Sequence, residues 1–350
     1  MSDFVTRFED FQPSGRTVDG KRVAAGIDID GCVDPGMYKH ETGFALASIF
    51  SYGLQMVTPM AMRAWMYVNC YSESRGITRF KALYMWADIL RETPSVQKTG
   101  VDIPQFKYLR RWADITPSFS PEALYAYLSG GDLSGVLKEG DDYRDAFDEL
   151  YGVLQWSNKV NSMVPPTVEN MDAFPNAAKA IRRAYEMGVD ICAVSGTPEQ
   201  HVVTQLEKYG ILDCFTGIFA QQAGKKNAAL VTMMVGPGWE DKNRPLLDGN
   251  VANYDVIWMM GDAPKDYSEA QKANKQLTGS EDDPVKMFLL QVGRENESWE
   301  LFDNEVLDQL VAEEWSREDE QRLIQKGLDN LKREWTPGTV PIETFPLKDE

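Results

Sequence analysis

The sequence predicts an α/β fold, a parallel sheet with helices on both faces and an all-helical stretch set in after the first strand. Three observations predict it. Apolar runs of strand length recur, and several end in acidic or polar residues. Helical periodicities separate the later runs, the alternation that builds a parallel sheet. From about residue 37 to 167 strand signals are scarce and helical patterns dominate.

The first strand is expected over residues 23–29, within the segment KRVAAGIDID. A parallel strand is buried on both faces, so a continuous apolar run suits it. Helical patterns follow at residues 60–71, 78–91, 121–128 and 142–156. Another helix spans residues 175–187 and stops at Gly188. The second strand is VDICAV, residues 189–194. Thr197 and Gln200 then form a capping-box pattern, with Pro198 at the first helical position. Val202, Val203 and Leu206 continue that helix and Gly210 ends it. Residues 215–220, 256–260 (VIWMM) and 287–292 (MFLLQV) supply the remaining strands. A tail helix opens at Ser316 and carries Leu323, Ile324, Leu328 and Leu331. The expected organisation is a discontinuous core, residues 1–35 with 168–300. Residues 36–167 form a helical insertion, and residues 301–350 a helical extension packed on the core.

The composition is that of a globular protein, with 43% hydrophobic and 26% charged residues. A net charge of −18 repels phosphate backbones and argues against a nucleic-acid partner. Any anionic ligand then needs a local positive site. Cys32, Cys70, Cys192 and Cys214 form no C-x-x-C pair, which fits a reducing compartment. The N-terminal segment lacks an apolar signal core, and no apolar run reaches bilayer length. The expectation is a cytoplasmic protein with no membrane partner. Two histidines argue against a histidine zinc site or a Ser-His-Asp hydrolase. Nothing in the sequence sets the oligomeric state.

Ligands of open parallel sheets bind beyond the carboxyl ends of the strands. Four polar clusters fall at or soon after such ends: Asp28 with Asp30, Ser195, Lys225-Lys226, and Asp262 with Asp266. Asp28 and Asp30 alternate along an extended segment and are expected on one side. Two carboxylates so placed repel unless a cation or proton intervenes. Mg²⁺ favours oxygen ligands and binds through one or two carboxylates plus substrate phosphate. A carboxylate can attack phosphorus, and a second can protonate the leaving oxygen and then activate water. Ser195 and a lysine can hold phosphoryl oxygens.

These residues resemble the motifs of the haloacid dehalogenase superfamily, in its phosphoglycolate phosphatase-like subgroup. Asp28-Ile-Asp30-Gly resembles its D-x-D-G signature, AVSGTP with Ser195 its second motif, and Lys225-Lys226 its lysine motif. Gly261-Asp262-Ala-Pro-Lys-Asp266 is similar to its G-D-x-x-x-D motif. All four stand in the family's order. The resemblance implies a three-layer Rossmann-like core with an inserted helical cap, and Mg²⁺ as cofactor. It makes Asp28 nucleophile and metal ligand. Asp30 becomes general acid/base and lends the metal its backbone carbonyl. Asp262 and Asp266 serve the metal. Ser195, Gly196 and a lysine hold phosphate. Lys226 stands four residues before Leu230, as in relatives with SGTP-type second motifs, and is favoured over Lys225.

The reaction so implied is hydrolysis of a small phosphorylated metabolite, a phosphomonoester. Mutases and phosphonate-cleaving relatives share the core motifs. In sugar-phosphate mutases an acid follows the second Asp by five positions; here that position is Pro35, and Asp34 comes one earlier. Phosphonate cleavage uses a cap lysine, for which Lys39 is the candidate. Dehalogenation has no use for the acid pair. A non-catalytic phospho-ligand-binding protein is the rival of another class. Lys39, His40, Arg75 and Arg79 are candidate substrate contacts in the insertion. Trp65, Trp86 and Trp112 are expected in its core.

Overall fold

Five apolar runs become the five strands of one parallel sheet. They are β1 (Val23–Ile27), β2 (Asp190–Val194), β3 (Phe215–Phe219), β4 (Val256–Gly261) and β5 (Val285–Leu289). Their order is β3-β2-β1-β4-β5, parallel throughout. The computed structural model describes residues 7–239, 245–248, 252–331 and 335. The chain divides into two compact units, Met1–Gly36 with Met171–Leu331 and Met37–Asn170 with Lys332–Glu350. The first is an α/β unit and the second a helical one.

The expected fifth strand begins too late. The observed β5 starts at Val285; Lys286 interrupts the apolar run that marks a buried strand, so the sequence pattern begins only at Met287. Lys286 is tolerated there because β5 is an edge strand. Asn274 fixes the start by pairing with both the N–H (2.7 Å) and the C=O (3.0 Å) of Val285. The first strand ends at Ile27 rather than at residue 29, which leaves Asp28 just past it.

Period-two alternation divides the apolar side chains between the two faces of the sheet. Val23, Ala25, Ile27, Ile191, Trp258 and Met260 pack on one face with Trp299 and Phe302. Ala24, Cys192, Val194, Ile257 and Met259 pack on the other with Leu230 and Met233. At Gly26 a methyl group would stand 3.0 Å from the Leu230 side chain, so glycine lets the helix Lys226–Val235 approach β1 closely. All four cysteines are buried.

The helices Pro175–Met187 and Arg317–Leu331 lie as the sequence predicts. The capping box at Thr197 does not form. The helix Glu199–Lys208 starts two residues after it, with Pro198 at the cap and no side-chain cap bond. The Thr197 hydroxyl instead donates to the Asp30 carboxylate. Within the expected extension over residues 301–350, Phe302 and Leu307 belong to the core of the α/β unit. Residues 332–334 and 336–350 lie outside the described residues.

The helical unit contains no strand among its described residues. Its longest helix, Tyr143–Glu169, runs well past the expected end at residue 156. Val160 continues the buried stripe where the sequence turns polar around it. Trp65, Trp86, Trp112 and Trp156 are buried. Trp65 meets Trp86 and Trp156 edge to face at 5.8 and 6.1 Å. Their indole N–H groups find acceptors nearby, Trp86 in the carbonyl of Ala61 (2.8 Å) and Trp156 in the Ser48 hydroxyl (2.9 Å). These rings are core rather than a ligand platform. Among the described residues, no helix is long and apolar enough to cross a membrane.

Gly188 ends the helix before β2 with φ of 108°, and a Cβ there would lie 2.7 Å from the carbonyl oxygen of Thr17. Gly188→Ala is therefore expected to cost about 1–3 kcal/mol. Urea denaturation of both proteins measures the loss.

Candidate active site

Strand order reverses between β1 and β4, because β2 and β3 extend the sheet one way and β5 the other. The crevice at such a switch point receives ligands. Asp28 follows β1 and Asp262 follows β4, so both acids flank it. Asp28 prolongs the ladder, its N–H donating to Met260 C=O at 3.0 Å. Its Oδ1 accepts the N–H of Ile29 (2.8 Å), and its Oδ2 faces Lys226 Nζ at 2.5 Å.

Lys226 is the first residue of the helix Lys226–Val235 and also meets Asp266 Oδ1 at 2.6 Å. Lys225, one residue earlier, is exposed. Asp266 lies in the first turn of the helix Pro264–Thr278. Its Oδ2 folds back onto the N–H groups of Asp262 (3.3 Å) and Ala263 (3.1 Å). A carboxylate there suits the positive end of a helix. At Gly261 a Cβ would lie 2.5 Å from Asp266, so only glycine admits this packing.

One carboxylate oxygen each from Asp28, Asp262 and Asp266 lies within 4.8 Å of the others, and all three residues are buried. Burial pushes the Asp28 carboxyl up to about 7. Lys226 opposes that rise, while Asp266 and Asp262 reinforce it. Burial works against the charge on Lys226, but Asp266 and Asp28 outweigh it and hold its pKa well above the usual value. Two of these three buried acids, Asp28 and Asp266, thus share the half-buried ammonium of Lys226.

Asp30 is half-buried, and its carboxylate stands outside that trio. Ser195 follows β2, with its N–H on Phe219 C=O (2.9 Å) and its hydroxyl accepting the Thr197 N–H at 3.2 Å. Gly196 is exposed, with open space where a side chain would stand. Thr197 joins the Ser195 loop to Asp30, a role hidden by its local fit to a helix cap. Asp34 is fully buried. Its carboxylate accepts from Gln205 Nε2 (2.8 Å), the Tyr209 hydroxyl (2.9 Å) and, weakly, the Gly31 N–H (3.4 Å).

Lys39, His40, Arg75 and Arg79 all belong to the helical unit. Lys39 closes the short helix Met37–Lys39. His40 Nδ1 accepts the Trp65 indole N–H (3.4 Å), and its ring stacks on Phe44 at 4.9 Å. Arg75 is buried and donates to Cys70 C=O at 3.0 Å. Arg79 donates to Asn161 Oδ1 (2.6 Å) and lies 5.1 Å over the Phe44 ring. Burial lowers its pKa to about 10.

No protein-family model and no curated protein matches this chain. Solved structures do. A predicted phosphoglycolate phosphatase from Haemophilus somnus is 12% identical, with 77% of this chain and 86% of that one covered and a TM-score of 0.39. A hydrolase of the haloacid dehalogenase-like family from Streptococcus pneumoniae is 11% identical, with coverages of 79% and 90% and a TM-score of 0.33. An L-2-haloacid dehalogenase from Xanthobacter autotrophicus is 12% identical, with 77% of both chains covered and a TM-score of 0.32. Likeness this distant assigns no activity.

In metal-free buffer, Lys226→Met removes the cation that Asp28 and Asp266 share. The folded-state pKa of Asp28, about 7, lies above its unfolded value, so the folded state loses stability as pH rises through it. The variant raises that pKa further. It is expected to lose about 3–5 kcal/mol at about pH 8 and clearly less at about pH 5, where Asp28 is protonated. Urea titrations at both pH values test this, and equal losses would contradict the charge balance described.

Proposed function

We propose that this protein is a Mg²⁺-dependent phosphohydrolase that passes a phosphoryl group through Asp28. The observation that carries the reading is the meeting of Asp28, Asp262, Asp266 and Lys226 at the switch point of the sheet. The fit to a hard cation lies in the donors themselves. Three buried carboxylates converge, Lys226 pairs with two of them, and Asp28 stays raised to about 7 even beside it, so the donor set suits a hard cation. Asp28, Asp262 and the backbone carbonyl of Asp30 would hold Mg²⁺, with Asp266 supporting Asp262. Bound there, Mg²⁺ would neutralise charge on the phosphoryl oxygens.

The chain's own residues supply the rest. An Asp28 carboxylate oxygen attacks phosphorus, an oxygen–phosphorus bond forms, and the bond to the ester oxygen breaks. Asp30 gives its proton to the departing alkoxide, then takes one from the water that cleaves the aspartyl-phosphate. The products are the alcohol and inorganic phosphate, and Asp28 is regenerated. The Thr197 hydroxyl holds Asp30 in both states, because a hydroxyl donates to a carboxylate and accepts from a carboxylic acid. Lys226, the Ser195 hydroxyl and the open N–H of Gly196 receive the phosphoryl oxygens. Commitment of Asp34 to Gln205 and Tyr209 takes away the support a mutase reading would draw from it.

A panel of phosphate esters with and without Mg²⁺ tests the proposal. Asp28→Asn is expected to lower kcat by about 10³-fold or more while the fold persists. Asp30→Asn is expected to cost alkyl esters far more than p-nitrophenyl phosphate, whose leaving group needs no proton. Retained turnover in Asp28→Asn would sink the mechanism. Tight binding of one ester without turnover of any would favour a binding protein.

A further inference from the structure

Four cations line one cavity of the helical unit. Its volume is about 380 Å³, and Arg91, Lys107, Arg110 and Arg111 line it together with Gln105. The chain has 54 acids against 36 lysines and arginines, so a lining with no acid in it departs from the average. The helix Lys107–Ile115 supplies three of the cations at i, i+3 and i+4, which puts them on one face. Arg91 comes from the last turn of the helix Arg79–Glu92.

Two carboxylates touch these cations, and each is shared. Asp88 pairs with Arg91 and with Arg110 (2.6 Å), and Asp141 pairs with Lys107 and Arg111. In these direct pairs four positive charges meet two negative ones, and Glu149 also acts on Arg110. A third acid, Glu149, accepts the N–H groups of Lys107 (3.1 Å), Tyr108 (2.7 Å) and Leu109 (2.8 Å). It caps the helix, so the helix start is already filled and takes no part in the site.

Backbone carbonyls hold the guanidinium groups in place. Arg91 donates to Pro104 (2.6 Å), Arg110 to Gln105 (3.2 Å) and Arg111 to Val136 (2.7 Å). Among the described residues, Arg110 Nη1, Arg111 Nε and Nη2 and the Gln105 side-chain amide have no protein acceptor. Fixed guanidinium donors with unspent N–H groups match phosphate oxygens. The pocket is open to solvent, and its volume exceeds what one orthophosphate fills.

We propose that this cavity binds a small molecule carrying two or more linked phosphates. Every lining residue belongs to the helical unit, while the acid trio belongs to the α/β unit, so the site does not depend on the phosphohydrolase reading.

Calorimetric titration of the full chain with pyrophosphate, tripolyphosphate and ADP, in EDTA, tests it. EDTA leaves the acid trio metal-free and repulsive to anions. The expected result is saturable binding of one equivalent, weakened by salt. Gln105→Glu removes no hydrogen bond of its side chain and adds a negative charge to the lining. It is expected to weaken binding by about fivefold or more, and Gln105→Lys to tighten it. Arg111→Met is expected to weaken binding still further. ADP binding as tight as pyrophosphate marks the ligand as a nucleotide, and weaker ADP binding marks it as an inorganic polyphosphate. Either supports the site. No saturable binding by any of the three, or equal binding in the parent and Gln105→Glu, would overturn it.

Discussion

The ammonium of Lys226 stands between two buried carboxylates, Asp28 at 2.5 Å and Asp266 at 2.6 Å, and the candidate active site is arranged around it. Without it, Asp28 and Asp266 would lose the cation they share, with Asp262 close beside them. Burial still outweighs it at Asp28, which stays raised to about 7. The arrangement stores an electrostatic demand, and a cation or a transferred phosphoryl group would answer that demand differently. Such buried polar sets are costly unless every member is engaged.

Backbone packing holds the acids where that ammonium can reach them. Gly26 lets the helix bearing Lys226 lie close on β1, and Gly261 leaves room for Asp266 against the end of β4. Asp266 then binds the N–H groups of Asp262 and Ala263, so one carboxylate fixes both the turn and the lysine. The sheet places these parts together because its order reverses between β1 and β4.

Asp28 and Asp262 were legible in the sequence because each closes an apolar run of strand length, a local signal. Lys226 was separable from Lys225 only by spacing. The structure separates them physically, since the helix begins at Lys226 and its first turn aims that side chain at the acids while Lys225 stays exposed. The residues around Thr197 fit the pattern of a helix cap. The competing partner, Asp30, is 167 residues away and leaves no trace in a local window. Asp34 hid its partners in the same way, as Gln205 lies on a helix far along the chain and Tyr209 just past its end. The start of β5 is not legible in the sequence because Lys286 breaks the apolar run, which an edge strand permits. The basic cavity of the helical unit was invisible because a charge on a helix usually reads as a solvated face. Only the tertiary fold brings Arg91 beside Arg110.

The central claim is that Asp28 carries the phosphoryl group, and trapping the covalent species tests it most directly. An aspartyl-phosphate is reduced by borohydride to homoserine, which a peptide mass map locates. The protein would be reduced during steady-state turnover of acetyl phosphate or p-nitrophenyl phosphate with Mg²⁺. The account predicts homoserine at position 28 and nowhere else. Turnover with Asp28 unmodified, or a phosphoryl group found on another residue such as Ser195, would contradict it.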